Sequence, residues 1–474
     1  MSKYLTTGAI APIILTAMLT ACGGGSDAVA PKNVVFFLGD GMGMNTMTAA
    51  RIYKAGEDGE LTMDTLPETG FVKTFSNNAQ VTDSAPSMAA YMTGIKMNNE
   101  VISMTPDTEA FNSVTGASYI SGANSTCLST NGKPVVTLLE LAKAAGKTTG
   151  VVTTTRITHA TPATTYSHIC HRDGENNIAA QAIPGGLGFN AALGDGVDVM
   201  LGGGLRHFVP STTSGSKRTD ARDLTNEMKL NGYTYVSNKA ELDLVDTTKT
   251  KKVLGLFTMD HMAYDLDRIP ANEPSLAEMT SKAIDIVKNG KKGFFLMVEG
   301  GRIDHALHST NASRALQDTV AFDDAIKAAI DKLQVIDPGL KNTLIVVTAD
   351  HDHTLVLNGY AKRTGATTPS NPGVLGLVKN VITGAFNLDT GSNPFTIIGF
   401  GNGENRPLTR TALTEVQVSN KDYHQEAVIP VAVGSETHGG TDVFIGAIGS
   451  GAETFTGIIE NIQVFNLVKT AVGL

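Results

Sequence analysis

Acids and histidines gather in four short stretches of the chain: GDGMG (39–43), EGGRIDHALH (299–308), TADHDH (348–353) and SETHGG (435–440). Asp304 and His308 stand four residues apart, so one helical turn puts both on one face, where they can chelate a single ion. Asp350 and His351 are neighbours that point opposite ways within a strand. They share an ion only where the chain has turned out of the sheet. Carboxylate oxygen with imidazole nitrogen suits zinc, whereas carboxylates with a hydroxyl and waters suit magnesium. Each stretch alone is weak, because a strand-end Asp often caps a loop and a lone His is usually structural. Jointly Asp40, Glu299, Asp304, His308, Asp350, His351 and His438 point to a metal cluster.

Two further stretches carry hydroxyl and guanidinium chemistry. In VTDSAPSMAAYMTG (81–94), small and apolar helix formers follow Asp83-Ser84, with Pro86 fitting a first helical turn. Ser84 therefore stands at or near an N-cap. A capping serine is one reading, contributing roughly 1 kcal/mol. A nucleophile beside free N–H groups and the helix dipole is the other. In TTTRITHATPATTYSHICHRDGENN (153–177), Arg172 can offer two parallel hydrogen bonds to an oxyanion, although a surface charge would look the same. GDGMG does not read as a dinucleotide-binding loop: Met44 stands where the fingerprint needs its third Gly, and Asp40 would repel a pyrophosphate.

The elements that must position these residues alternate. NVVFFLG (33–39) is a continuous apolar run, as expected of a strand buried on both faces. GVVTTT (150–155), DVMLGGG (198–204), GFFLMVEG (293–300) and NTLIVVTAD (342–350) are further strands, while VVTLLELAKAAG (135–146) and residues 311–333 have helical spacing. The alternation predicts an α/β fold with a large, mainly parallel central sheet and helices on both faces. The acids then lie at the carboxyl ends of the strands, where open α/β sheets bind ligands. GTDVFIGAIGSG and GIIENIQVFNLVKTAVG read as a last strand and a last helix. Residues 206–251 are polar and mixed, and 355–437 read as an insertion, irregular with some β-structure and crown-like.

With 474 residues, 41% of them hydrophobic, there is ample chain for a large core. The formal charge is −9 and no basic block occurs, which argues against a nucleic-acid partner. MSKYLTTGAIAPIILTAMLTAC reads as an export signal, its apolar run being short for a membrane span. It ends in Leu19-Thr20-Ala21-Cys22, which resembles a bacterial lipoprotein signal and implies lipidation of Cys22. Residues 1–22 are then the signal, 23–32 a flexible tether and 33–474 one catalytic domain. Gly23 is not the Asp that commonly retains such lipoproteins at the inner membrane, so an outer-membrane anchor is expected; ordinary secretion into the periplasm is the alternative. Of the three cysteines, Cys127 and Cys170 remain, and an oxidising compartment allows them to pair.

Taken in order, FFLGDGMG, VTDSA, HATPA with a following Arg, VEGGRIDHALH, TADHDH and ETHGG resemble the alkaline phosphatases, from about Val34 to Ile448. The resemblance implies phosphate-monoester hydrolysis at two zinc ions and one magnesium ion. Ser84 would be the phosphorylated nucleophile, Arg172 the phosphate clamp and Asp83 the residue steadying it. Asp304, His308 and His438 would hold one zinc, and Asp40, Asp350 and His351 the other. Asp40, Thr161 and Glu299 would hold magnesium. His159 and His305 would stand just outside the ligand shells, where some bacterial members carry Asp and Lys, and His159 would weaken the third site's preference for magnesium. The family is usually dimeric, and the 355–437 insertion is where that contact would form by analogy. Three alternatives stand beside this reading. A sulfatase is suggested by SAPSM, although Met88 replaces the Arg that motif needs. A phosphodiesterase of the same superfamily and a non-catalytic metal- or phosphate-binding lipoprotein complete the set.

Overall fold

The computed structural model describes residues 33–474; the signal, tether and Cys22 expectations lie outside the described residues. Ten strands form the central sheet. In chain order they are β1 (Asn33–Gly39), β2 (Glu68–Lys73), β3 (Thr148–Arg156), β4 (Val199–Gly203), β5 (Thr234–Val236), β6 (Val253–Leu256), β7 (Phe294–Gly300), β8 (Thr343–Ala349), β9 (Val443–Gly449) and β10 (Gly457–Glu460). Their order across the sheet is β10-β2-β9-β8-β1-β7-β3-β4-β6-β5. Only β9 runs antiparallel to its neighbours β8 and β2. Val34–Leu38 of β1 are fully buried between β8 and β7, with Val34 opposite Leu344 and Phe295. The apolar strands are thus covered on both faces, as a parallel sheet requires.

Because β1, β7 and β8 are parallel and in register, their carboxyl ends lie side by side. Gly39 pairs with both Gly300 and Ala349, so the segments carrying Asp40, Glu299 and Asp350 emerge together. The helix α1 (Met44–Ala55) follows β1, α2 (Ser84–Thr93) follows the VTD turn, and the short α3 (Arg302–His308) follows β7. The long helix Ala312–Ile336, capped by the Asn311 side chain, covers the face on which Phe322 meets Phe37 at 5.9 Å.

Several expected boundaries move for local reasons. The helix expected at 135–146 begins at Leu138, because Thr137 and Glu140 form a reciprocal capping box. Residues 206–251 are more ordered than their composition suggests and supply the edge strand β5. GIIE is not helix but strand β10, its two β-branched isoleucines pairing with Phe71 and Val72 of β2; the helix starts at Asn461. The 355–437 region holds a separate three-stranded sheet, Leu355–Leu357, Ile398–Gly403 and Ala427–Pro430. Cys127 and Cys170 form a disulfide across a sequence separation of 43. Among the described residues, no helix is long and apolar enough to cross a membrane.

Candidate metal and nucleophile site

Asp83, not Ser84, caps α2. Its Oδ1 accepts the Ala85 N–H at 2.7 Å, so Ser84 is the first helical residue and its hydroxyl is released from capping. Ser84 is almost fully buried, and its Oγ lies 3.2 Å from His351 Nε2 and 3.4 Å from Asp40 Oδ1. Asp83 Oδ1 also accepts from Arg172 Nη1 at 3.0 Å, and Asp83 Oδ2 accepts the Glu100 N–H. The guanidinium is thereby held beside the serine.

Three groups of acids and imidazoles each bring one donor atom per residue to within 4.8 Å of one another: Asp304, His308, His353 and His438; Asp40, Asp350 and His351; and Asp40, His159 and Glu299. The histidines are oriented from behind. His308 Nδ1 donates to the Glu436 carbonyl, His438 Nδ1 to the Thr82 carbonyl at 2.7 Å, and His351 Nδ1 to the Asp352 carbonyl at 3.2 Å. With Nδ1 so engaged, each ring turns its Nε2 inward, the atom through which an imidazole that gives up its second proton can hold a cation. His308 Nε2 and His438 Nε2 face each other at 3.2 Å, two acceptors that a cation between them reconciles. Asp350 Oδ2 and Glu299 Oε1 are buried without a hydrogen-bond partner, and His159 Nδ1 is too. Buried orphan acceptors in clustered carboxylates are the donor set that metal ions satisfy, so the residues fit the cations implied.

Thr161 Oγ1 donates to Asp40 Oδ2 at 3.2 Å, and Glu299 Oε2 accepts from Thr153 and from Thr155 at 3.2 Å. Thr161 and Glu299 are both brought to Asp40, the first by this bond and the second by the shared donor group. The structure departs from the expectation for His159, which joins this donor group instead of standing outside it. Its Nε2 faces Arg172 Nη2 at 3.1 Å. His305 stays outside all three groups; its Nδ1 accepts from Arg302 Nη1 at 2.7 Å and its ring packs on His261 and His159.

Two residues in the quoted motifs escaped the sequence reading. His353 Nε2 donates to Asp304 Oδ1 at 2.8 Å, and its Nδ1 donates to Glu436 Oε2 at 2.5 Å. A signal for His353 existed: two residues beyond His351, it returns to the same side of an extended chain. Glu436 had no such signal, since its role depends on a contact 83 residues away. Gly41 explains the GDG turn: with φ of 67° it directs its N–H to Asp350 Oδ1 at 3.0 Å, and a Cβ there would meet the His353 ring at 2.6 Å.

The site's electrostatics follow from crowding acids in a dry cluster. Burial, then Asp40, pushes the Asp350 carboxyl up to about 8 and holds Glu299 well above the usual carboxylate range. Burial lowers the His351 imidazole, but Asp350 and Asp40 outweigh it and raise the group to about 9. Burial and then His351 lower His438 to about 4, and burial with Arg172 pushes His159 well below its ordinary value.

Buried carboxylate–imidazole groups around one serine, at the carboxyl edge of a mainly parallel sheet, define a metal-assisted hydrolase of the α/β class. The family model described as alkaline phosphatase matches residues 31–474, and the chain belongs to that family, a family of phosphomonoesterases. It is 37% identical to the alkaline phosphatase of Gadus morhua over 90% of this chain and 89% of that one. It is 35% identical to the human tissue-nonspecific isozyme, over 93% of this chain and 83% of that one. Among solved structures, a cold-active alkaline phosphatase from Shewanella sp. superposes with a TM-score of 0.65 at 25% identity, covering 93% of this chain and 99% of that one.

Proposed function

We propose that the protein hydrolyses phosphate monoesters through a phosphoserine on Ser84, at a centre holding two zinc ions and one magnesium ion. The observation that carries this is the position of Ser84 Oγ, buried, uncapped and within 3.4 Å of Asp40 and His351. Asp304, His308 and His438 would hold one zinc, Asp40, Asp350 and His351 the second, and Asp40, Thr161 and Glu299 the magnesium, with His159 an additional donor at that third position. When bound, these ions supply Lewis acidity that lowers the pKa of a hydroxyl or water and neutralises charge on the oxygens flanking phosphorus.

The chain's own residues do the rest. Arg172, steadied by Asp83, donates to non-bridging phosphoryl oxygens, where charge spreads in a loose transition state. The α2 N-terminus adds its positive dipole end. Ser84 Oγ attacks phosphorus in line, the bond to the alcohol oxygen breaks, and the alcohol leaves with a proton. Water then attacks phosphoserine from the vacated side, the P–Oγ bond breaks, and Ser84 regains its proton as phosphate departs. Recognition through the phosphoryl group leaves the alcohol unread, so broad monoester specificity follows.

The same reading includes export and a lipid anchor at Cys22 facing the periplasm or cell surface, supported by the Leu-Thr-Ala-Cys ending of the signal. It includes a homodimer, supported by exposed Val356, Leu357, Val428 and Ile429 on the insertion's small sheet. The deciding test is Ser84→Ala assayed on p-nitrophenyl phosphate with metal content measured in parallel. Turnover should collapse while zinc persists; retained turnover refutes the nucleophile.

A further inference from the structure

The group formed by Asp304, His308, His353 and His438 rests on a buried carboxylate outside it, that of Glu436. Glu436 is 1% exposed and meets no Lys or Arg among the described ion pairs. A carboxylate so placed is costly unless each oxygen is hydrogen-bonded, and here each is. Oε1 accepts the Thr354 N–H at 2.8 Å and the Thr354 hydroxyl, and Oε2 accepts His353 Nδ1–H at 2.5 Å. The far nitrogen of that ring donates to Asp304 Oδ1 at 2.8 Å. Through its main chain the same residue grips the neighbouring donor: the Glu436 N–H donates to the His308 carbonyl at 3.1 Å, and the Glu436 carbonyl accepts His308 Nδ1–H.

We infer that Glu436 is a positioning residue that sets the geometry of the Asp304–His308–His438 centre, acting on Asp304 through His353 and on His308 through its own carbonyl. This rests on the proposed function for the identity of what the centre holds. The logic is that of an outer-shell partner: a donor oriented from behind loses less freedom on binding an ion, and its other acceptor position is kept turned inward. His353 differs from the three inward-facing rings in being anchored on a carboxylate at both nitrogens instead of on a backbone carbonyl. It is a strut between Glu436 and Asp304, not a fourth ligand. An isosteric amide replaces Glu436 only by turning its oxygen to Thr354 and its NH2 to His353, whose Nδ1 must then lose its proton and accept, so the strut loses both its charges.

The experiment uses the full-length protein with Glu436→Gln, Glu436→Asp, His353→Gln and the Glu436→Gln/His353→Gln double variant. Zinc affinity is measured by competition with a chromophoric chelator, and the cobalt(II)-substituted proteins are compared by visible absorption. Glu436→Gln should lose about 10- to 100-fold in affinity at one of the two tight sites, as outer-shell changes do, and should shift the cobalt spectrum. Glu436→Asp, which keeps the charge, should recover part of both. The double variant should lose no more than the worse single, because both act along one path. Unchanged zinc affinity in Glu436→Gln, or fully additive losses in the double variant, overturns the proposal. If Glu436→Gln does not fold, Glu436→Asp against His353→Gln decides it, with wild-type affinity and spectrum in both counting against. A wild-type protein that takes up no zinc would instead defeat the functional reading itself, so the two failures are separable.

Discussion

Asp83 Oδ1 accepts hydrogen bonds from Arg172 Nη1 at 3.0 Å and from the Ala85 N–H at 2.7 Å, joining segments 89 residues apart at one oxygen. The start of the nucleophile's helix and the aim of the phosphate clamp are therefore one structural decision. Asp83→Ala should remove both, costing about 1 kcal/mol of stability for the cap and a further ~1.5–3 kcal/mol in substrate binding for the charged hydrogen bond. The second term corresponds to a rise in KM of roughly 10- to 100-fold. Asp83→Asn keeps an acceptor for the cap but sets its NH2 against the Glu100 N–H, so it should lose less melting temperature than Asp83→Ala while KM still rises. Steady-state kinetics and thermal melts on the two variants separate the roles; equal melting losses would contradict the division.

The disulfide bears on the same clamp. Cys170 lies two residues before Arg172 and is bonded to Cys127, closing a loop that contains β3, His159 and Thr161. A bridge over that span contributes about 4 kcal/mol on the loop-entropy model. Cys127→Ser should lose stability of that order in urea titrations of the metal-loaded protein, and its KM should rise with the freedom given to Arg172. A reductant should reproduce the loss in the wild type and leave Cys127→Ser unaffected.

The parts of this architecture that rest on local pattern were legible in the chain. Continuous apolar runs gave β1, β7 and β8, and the acids at or just past their carboxyl ends gave Asp40, Glu299 and Asp350, because a strand buried on both faces needs such a run. What escaped depends on distant partners. GIIE is strand because β2 offers an edge for it, a fact no window of residues contains. Ser84 loses the cap to Asp83 because Arg172 and Glu100 hold that carboxylate in place. His353 and Glu436 matter only through each other and through Asp304.

Glu100 adds a charge that the phosphate must meet. Burial, then Asp83, pushes its carboxyl up to about 7 against the pull of Arg172. Its N–H is given to Asp83 and its carbonyl accepts the Arg172 main-chain N–H at 2.8 Å, and its carboxyl is near enough for its charge and that of Arg172 to act on each other. Below pH 7 the group is neutral; above it, a second negative charge competes with the phosphate for Arg172. Competitive inhibition by inorganic phosphate should weaken between pH 6 and 8 more steeply in wild type than in Glu100→Gln. The gap should be on the order of 1 kcal/mol, a factor of about five. Parallel pH profiles for the two proteins would exclude Glu100 from anion binding.

Removal of metal should change how stability depends on pH. Asp350, at about 8, keeps in the fold a proton that an unfolded aspartate has lost by neutral pH, and His351 at about 9 and His353 at about 10 keep protons that unfolded histidines release above ~6.5. The groups shifted the other way, His438 at about 4 and His305 at about 3, are neutral in both states well above pH 6.5. From pH 7 to 9 the metal-free fold therefore binds more protons in this site than the unfolded chain does, and the site's contribution to stability falls as pH rises. Metal ions displace the protons on Asp350 and His351, while His353 keeps its own as the strut between Glu436 and Asp304, so the slope should flatten on loading. Binding to the folded state alone also adds about 4 kcal/mol per site at a thousandfold excess over Kd. Melts of chelator-treated and zinc-loaded protein at pH 7, 8 and 9 measure both effects. The curves should diverge with rising pH, because in the metal-free protein Asp350 and His351 must hold protons against an increasingly alkaline solvent to remain buried beside their neighbours, and in the loaded protein they need not.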